Sequence, residues 1–316
     1  MIVYAKIRQK LLWTFFMIKL LTLALLLFLF SACSTQQVTS ITHKVDSSCD
    51  YYNLKTAQCQ NTKEVVKALD PYKIIFIGDH HNQDDLHQNV AELIKMLAQN
   101  GVKVHLANEW FYPQDAAVLN KFASSDINET EFQKEIQWKK RLKHNKYESF
   151  SPMYNAIRST KGELHGINIS KKERKKISEQ NLSSMSKDAL AFNNSLDLNV
   201  LPHRELILPF LSHCHAPKKG EDLQECTERM YRVQVAWDSK MALETYTLSK
   251  ELKDNEKLLV FAGAMHVETG LGIPLRFARL SNLPTVSIIP ANRKTIRVNN
   301  DTGDFILFYT ELKQKK

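Results

Sequence analysis

The residues best able to do chemistry stand at the ends of apolar runs. Lys73 to Asn82 reads KIIFIGDHHN, and within it Ile74 to Ile77 predicts a strand buried on both faces, as in a parallel sheet. Gly78 lets the chain turn and delivers Asp79, His80 and His81 at the strand's carboxyl end. A second strand, Val102 to Asn108, runs into Glu109. A third, Glu163 to Ile169, carries Asn168, and a fourth, Lys257 to Ala262, leads to His266. In open α/β sheets ligands bind just outside the carboxyl ends of strands. His80, His81, Glu109, Asn168 and His266 are therefore expected to share one site. Taken singly, each reads equally well as a solvated turn or a helix cap. Their common position, and the repeat of Gly-x-x-His at Gly78–His81 and Gly263–His266, is what argues for a site. One chemistry open to such a set is hydrolysis: His81, Glu109 and His266 hold a divalent ion, and water attacks an ester or peptide. A tight ligand signature such as His-Glu-x-x-His is absent.

The elements that must position these residues alternate between strand and helix. After the first strand, Leu86, Val90, Leu93 and Leu97 recur at helical spacing, and Gly101 closes that helix. Pro113 opens another, residues 127–150 form a helical excursion, and Pro152 starts a helix that ends near Gly162. The run from Lys171 to Lys176 reads as a solvated helix face, with an anion- or lipid-facing patch as the alternative. Residues 181–200, rich in Ser and Asn, read as a surface connection, followed by helices over about 202–212 and 221–250. In the second of these Leu223, Met230, Val233, Trp237 and Met241 make a stripe expected to face the core. A glycine-containing loop and a short helix ending near Leu280 precede two β-rich segments, Thr285 to Pro290 and Asp304 to Tyr309. The fold class is α/β: a mostly parallel central sheet flanked by helices, with a helical subdomain. Residues 63–316 are expected to form one domain with a helical insertion at about 171–250.

The amino-terminal region carries Lys6, Arg8, Lys10 and Lys19 with no acid, then an apolar run from Leu20 to Phe30 and the sequence Ser31-Ala32-Cys33. The run is about half of what a bilayer span needs, so residues 1–33 read as a signal peptide of the lipoprotein kind, with Cys33 the lipidated residue. A cleaved signal without lipid is the alternative, and Met17 offers a second start. Ser34 after the cysteine favours the outer membrane. Removing residues 1–33 takes the formal net charge from +9 to +5, a mildly basic chain suited to anionic ligands or surfaces. No nucleic acid is expected as a partner, since no basic-aromatic binding motif is present. Residues 34–62 read as a tether plus a disulfide-closed segment. In an exported chain the four remaining cysteines predict two local disulfides, Cys49 with Cys59 and Cys214 with Cys226. A metal at Cys214 with His213 and His215 is the alternative, although three consecutive ligands converge poorly on one ion.

The strings GDHHNQDDLHQNVAELIKML, ANEWF, GIN (166–168), QVAWDSKMA and AGAMHVETGLGIPLR resemble the ChaN-type haem-binding lipoproteins over about residues 65–285. These belong to a wider group with the TraB/TIKI proteins and the erythromycin esterases. The resemblance implies an α/β core with a helical subdomain and haem, bound non-covalently, between two protomers. It further implies an iron-bound tyrosine assisted by a histidine of the facing protomer, and work beside a TonB-dependent outer-membrane receptor in iron uptake. Two departures stand out. The usual Gly-Glu-His-His is Gly-Asp-His-His here, and where many members carry Trp-x-x-Tyr-x-Pro this chain has Phe150 before Ser151-Pro152. The iron-ligand role would then pass to Tyr147 or Tyr154. A phenolate is a hard donor suited to ferric haem. Lys, Arg and His can bind propionates, and Trp, Phe and Met surfaces can cover a porphyrin.

Overall fold

The computed structural model describes residues 42–311, apart from 181, 215, 216 and 300. The proposed signal, Cys33, Met17 and His215 lie outside the described residues. Among the described residues ten strands follow in chain order: β1 Thr42–Lys44, β2 Tyr51–Asn53, β3 Gln58–Gln60, β4 Ile74–Asp79, β5 Lys103–Asn108, β6 Leu164–Gly166, β7 Glu256–Gly263, β8 Thr285–Asn292, β9 Arg297–Asn299 and β10 Phe305–Tyr309. Eight of them make one sheet in the order β3-β2-β10-β8-β4-β7-β5-β6, while β1 pairs with β9. From β10 to β6 every neighbouring pair is parallel, and the β2–β3 hairpin adds antiparallel to the β10 edge. The central sheet is thus mostly parallel, as the apolar runs predict.

Helices cover both faces: α1 Thr62–Ala68, α2 Asp84–Gln99, α3 Ala116–Ala123, α4 Glu129–Glu135, α5 Trp138–Arg141, α6 Tyr147–Ser159, α7 Lys171–Glu179, α8 Lys187–Asn194, α9 Leu201–Leu211, α10 Leu223–Ser249, α11 Ala264–Val267 and α12 Ile273–Ala278. Local chemistry sets several boundaries. Gly101, at φ 80°, takes the left-handed conformation that closes α2. Capping boxes start α7 (Ser170 with Glu173) and α10 (Asp222 with Glu225). The helix assigned to Pro152 begins earlier, at Tyr147, so the proline lies inside α6. It deprives the Glu148 carbonyl of its helical donor, and the Ser151 hydroxyl donates to that oxygen instead, at 3.2 Å. Residues 181–200, read as a connection, hold α8. The third strand is only three residues long and ends before Asn168.

Strand β4 shows why the sheet sits at the centre. Ile75 and Ile77 enter one core with Leu86, Val90, Leu93 and Leu97 of α2, while Ile74 and Phe76 enter the other with Met241 of α10 and Phe277 of α12. All four are essentially unexposed, and each such burial contributes about 1.5–3 kcal/mol. Both cysteine pairs are bonded in the local connectivity, with Cα separations of 5.6 Å for Cys49–Cys59 and 5.9 Å for Cys214–Cys226. No helix among the described residues is long and apolar enough to cross a membrane.

Candidate functional site

Because β4, β7 and β5 are adjacent and parallel, their carboxyl ends open onto one edge. Gly78 makes this possible: a Cβ there would lie 2.7 Å from Pro290 Cδ and 3.2 Å from Ala264 Cα, so the two Gly-x-x-His turns pack only without it. A cavity of about 720 Å³ lies along this edge. His80, His81, Glu109, Asn168 and His266 all line it, together with Asp79, Gln234 and Glu268. Trp110, Leu206, Phe210, Trp237 and Met265 supply its apolar walls.

The imidazoles are held from behind by buried carboxylates. Asp79 accepts from His81 Nδ1 at 3.0 Å and from His87 Nε2 at 2.7 Å, and His87 Nδ1 lies 2.8 Å from Ser149 Oγ. On the opposite wall Asp238, fully buried on α10, sits 2.5 Å from His266 Nδ1 and 3.1 Å from His203 Nε2. Gln234 Nε2 is a further 3.0 Å contact of His266 Nδ1. Glu109 stands between the two systems, with Oε2 3.6 Å from His266 Nε2. A Cβ on Gly263 would meet His81 Cε1 at 3.3 Å, Glu109 Oε1 at 3.5 Å and His266 Cδ2 at 3.6 Å, so this glycine keeps the floor clear. Asn168 fixes the third loop by donating to the Glu109 carbonyl at 2.7 Å.

Electrostatics follow the geometry. Burial works against ionised Asp79 and Asp238, yet their histidine partners hold both below the usual carboxylate range. Burial likewise works against a charged His266, but Asp238 and Glu109 hold it above the ordinary imidazole value. His81 is raised in the same way by Asp79. For Glu109 burial prevails over the pull of His266 and His81 and pushes its carboxyl up. His80 is lowered by burial, and its Nδ1 lies 2.9 Å from the Tyr309 hydroxyl.

Tyr147 and Tyr154 are not brought to this cavity. They lie on the buried face of α6, packed with Phe111, Phe132, Trp138 and Phe150, and Tyr154 is unexposed. The Tyr154 hydroxyl accepts from Asn108 Nδ2 at 3.1 Å. Burial drives Tyr154 far above, and Tyr147 above, the ordinary phenol value, the reverse of what an iron-binding phenolate needs. Phe150, at the position of the family tyrosine, packs its ring 4.3 Å from that of His87. The stripe expected to face the core also reads differently. Of its five residues only Met241 is buried, whereas Met230, Val233 and Trp237 line a groove of about 750 Å³ with Lys171, Lys172, Arg174 and Lys175. Gln234 and Trp237 border both the groove and the cavity. Asp238, His87, His203, Gln234 and Tyr309 are site residues that sequence reasoning missed. The signal was present for Asp238 alone, as an acid inside an apolar helix stripe.

Residues 65–277 match the sequence profile of a family described as haem-binding uptake, Tiki superfamily, ChaN. The chain belongs to that family. Its members are named for haem, so haem binding is the general function of the group. No curated protein matches the sequence. Among solved structures, the "cofacial heme binding to ChaN" structure of Campylobacter jejuni superposes with a TM-score of 0.63 at 17% identity, covering 82% of this chain and 96% of that one. At that identity the likeness is one of fold. An erythromycin esterase in its open conformation gives 0.43 at 12% identity, over 77% of each chain. A type III effector, HopBA1, gives 0.46 at 13% identity, over 87% of this chain and all of that one.

Proposed function

We propose that the carboxyl-edge cavity binds haem non-covalently and that two copies of the chain associate across it, in a lipoprotein anchored through Cys33 in the outer membrane and serving iron uptake beside a TonB-dependent receptor. The observation that carries the haem assignment is His81. Its Nδ1 is fixed by Asp79, its ring packs 4.7 Å from Trp110, and its Nε2 has no hydrogen-bond partner among the described residues. An imidazole anchored at one nitrogen and available at the other is a competent iron ligand.

The residues fit the group in other respects. Trp110, Trp237, Phe210 and Met265 offer apolar and aromatic surface for a porphyrin, and a volume near 720 Å³ falls in the range of ligand sites. Lys171 and Arg174 border the adjoining groove, where cations can pair with propionates. No Cys-x-x-Cys-His attachment sequence exists in the chain, in keeping with non-covalent binding. When bound, haem supplies the iron that uptake delivers. The protein's own part is to orient His81, exclude water with the tryptophans and neutralise the carboxylates. A half-covered porphyrin leaves an apolar face that favours association of a second loaded copy. The Campylobacter jejuni structure, whose haems are cofacial, supports this arrangement.

Sedimentation of the mature, unlipidated protein tests the association: monomer without haemin and dimer with it are expected, and an unchanged sedimentation coefficient would overturn it. Palmitate labelling that survives in Cys33→Ser would overturn the anchor. A second reading, the metal-dependent hydrolase expected of His81, Glu109 and His266, is favoured by the approach of His81 and Glu109, whose ligand atoms lie within 4.8 Å of one another and of one on Asp79, with His266 Nε2 3.6 Å from Glu109 Oε2. It requires that Zn2+ promote ester hydrolysis while haemin leaves the protein's spectrum unchanged.

A further inference from the structure

A second cluster of imidazoles and carboxylates lies on the same sheet, toward its amino-terminal end. His105 is the third residue of β5 and His165 the middle residue of β6. The parallel register sets His165 opposite Ala107, so His105 and His165 project from the same face, two residues apart along the ladder. Glu163, just ahead of β6, places Oε2 3.6 Å from His105 Nδ1 and 3.5 Å from His165 Nε2. The two rings are 5.9 Å apart, and the ligand atoms of all three residues lie within 4.8 Å of one another. Ligands about 2.0–2.1 Å from a tetrahedral zinc are roughly 3.4 Å from each other, so these two separations need only a small inward movement.

An independent observation points to a missing partner. His105 is 5% exposed, yet neither ring nitrogen has a hydrogen-bond partner among the described residues. Polar atoms buried this deeply are nearly always satisfied by protein, water or an ion. Its surroundings suit a cation. Lys103 Nζ holds Glu163 Oε1 at 3.1 Å, which leaves Oε2 turned toward the imidazoles. Glu256 Oε2 lies 3.6 Å from His105 Nε2, where it can accept the proton of that nitrogen once Nδ1 binds a metal. Two carboxylates against one ammonium leave a net negative charge.

We propose that His105 Nδ1, His165 Nε2 and Glu163 Oε2 form a binding site for a borderline divalent transition metal of the zinc class, which clips the short edge strand β6 to β5. Two imidazoles and one carboxylate are a common donor set for such ions, with solvent as the fourth ligand. The site lies four residues, about 13 Å of strand, from Glu109 and does not depend on the haem reading.

The test is Co2+ titration of tag-free mature protein, read by visible d–d absorption, with zinc competition and metal content after dialysis. One ion per chain is expected at this site. Glu163→Gln and His165→Gln should each weaken Co2+ by at least about 100-fold, and Glu256→Gln, which only positions His105, by about 10–100-fold. His165 and Glu163 are partly exposed, so their metal-free variants should melt with the metal-free wild type and still bind haemin. His81→Ala should leave the Co2+ spectrum intact. Zinc should raise the melting temperature of wild type and His81→Ala but not of His165→Gln. Absence of d–d bands, unaltered affinity in both Glu163→Gln and His165→Gln, or bands lost only in His81→Ala would overturn the site.

Discussion

The sheet carries histidine–carboxylate clusters toward its two ends, and they are wired differently. At the carboxyl edge His80, His81, His87 and His266 each have a ring nitrogen within 3.0 Å of an oxygen partner, and His203 Nδ1 lies 3.1 Å from the Tyr231 hydroxyl. Toward the amino end the nearest carboxylates stand 3.6 Å from His105, and neither of its ring nitrogens has a hydrogen-bond partner among the described residues. The first cluster spends its carboxylates on fixing rings, so the cavity presents a preset surface to a large ligand. The second brings His105 Nδ1 and His165 Nε2 to within 3.6 Å of one Glu163 oxygen, a spacing that suits an ion. Distance is the physical difference: Asp79 and Asp238 are unexposed and close on their rings, whereas buried Glu256 and half-exposed Glu163 both stand 3.6 Å from His105.

That contrast predicts unequal costs. Asp238→Ala should be the most damaging change, about 3–5 kcal/mol by urea denaturation, because it strands His203, His266 and Arg276 around a buried position. A loss under about 1 kcal/mol would mean that the carboxyl-edge rings are not fixed by Asp238. Next comes Tyr154→Phe, which removes only the Asn108 hydrogen bond and should cost about 1–3 kcal/mol for the buried amide left unpaired. Haemin binding should survive it, and loss of binding would return the ligand role to α6.

The locked pairs also predict a pH window. His266 is raised, so its pairing stabilises fully below the unfolded value near 6.5 and is lost as pH rises through the folded value. Asp238 is lowered, so its contribution is present above 3.8 and lost as pH falls through the folded value. Both act together between about pH 4 and 6.5, where the urea midpoint should peak. Asp238→Asn should flatten the decline on the alkaline side, and an unchanged profile would contradict the pairing. The smallest effect belongs to Glu163→Gln at the other cluster. Its partner Lys103 is a partly exposed ammonium, so apo stability should change by about 0–1 kcal/mol.

Much of this was legible in the sequence, for identifiable reasons. Ile74 to Ile77 is apolar on both faces, which only a central strand of a covered sheet needs, and the turn after it had to carry His80 and His81 to the edge. Parallel strands then brought Glu109 and His266 to the same place without further information. The long helix was misread because apolarity was taken as the mark of burial. On α10 the buried side carries Tyr231, Gln234 and Asp238, whose partners His203 and His266 come from other segments. A polar residue paired across the fold looks, in sequence, like a solvated one. The tyrosines failed for the opposite reason. Tyr147 and Tyr154 have a suitable donor atom, but the aromatic packing around α6 encloses it.

The central claim, that the carboxyl-edge cavity holds haem through His81, is tested most directly by haemin titration followed in the Soret region. Wild type, Tyr147→Phe and Tyr154→Phe should each give the same shifted band, saturating at one haemin per chain, while His81→Ala should lose it. A band that persists in His81→Ala and disappears in either tyrosine variant would contradict the account.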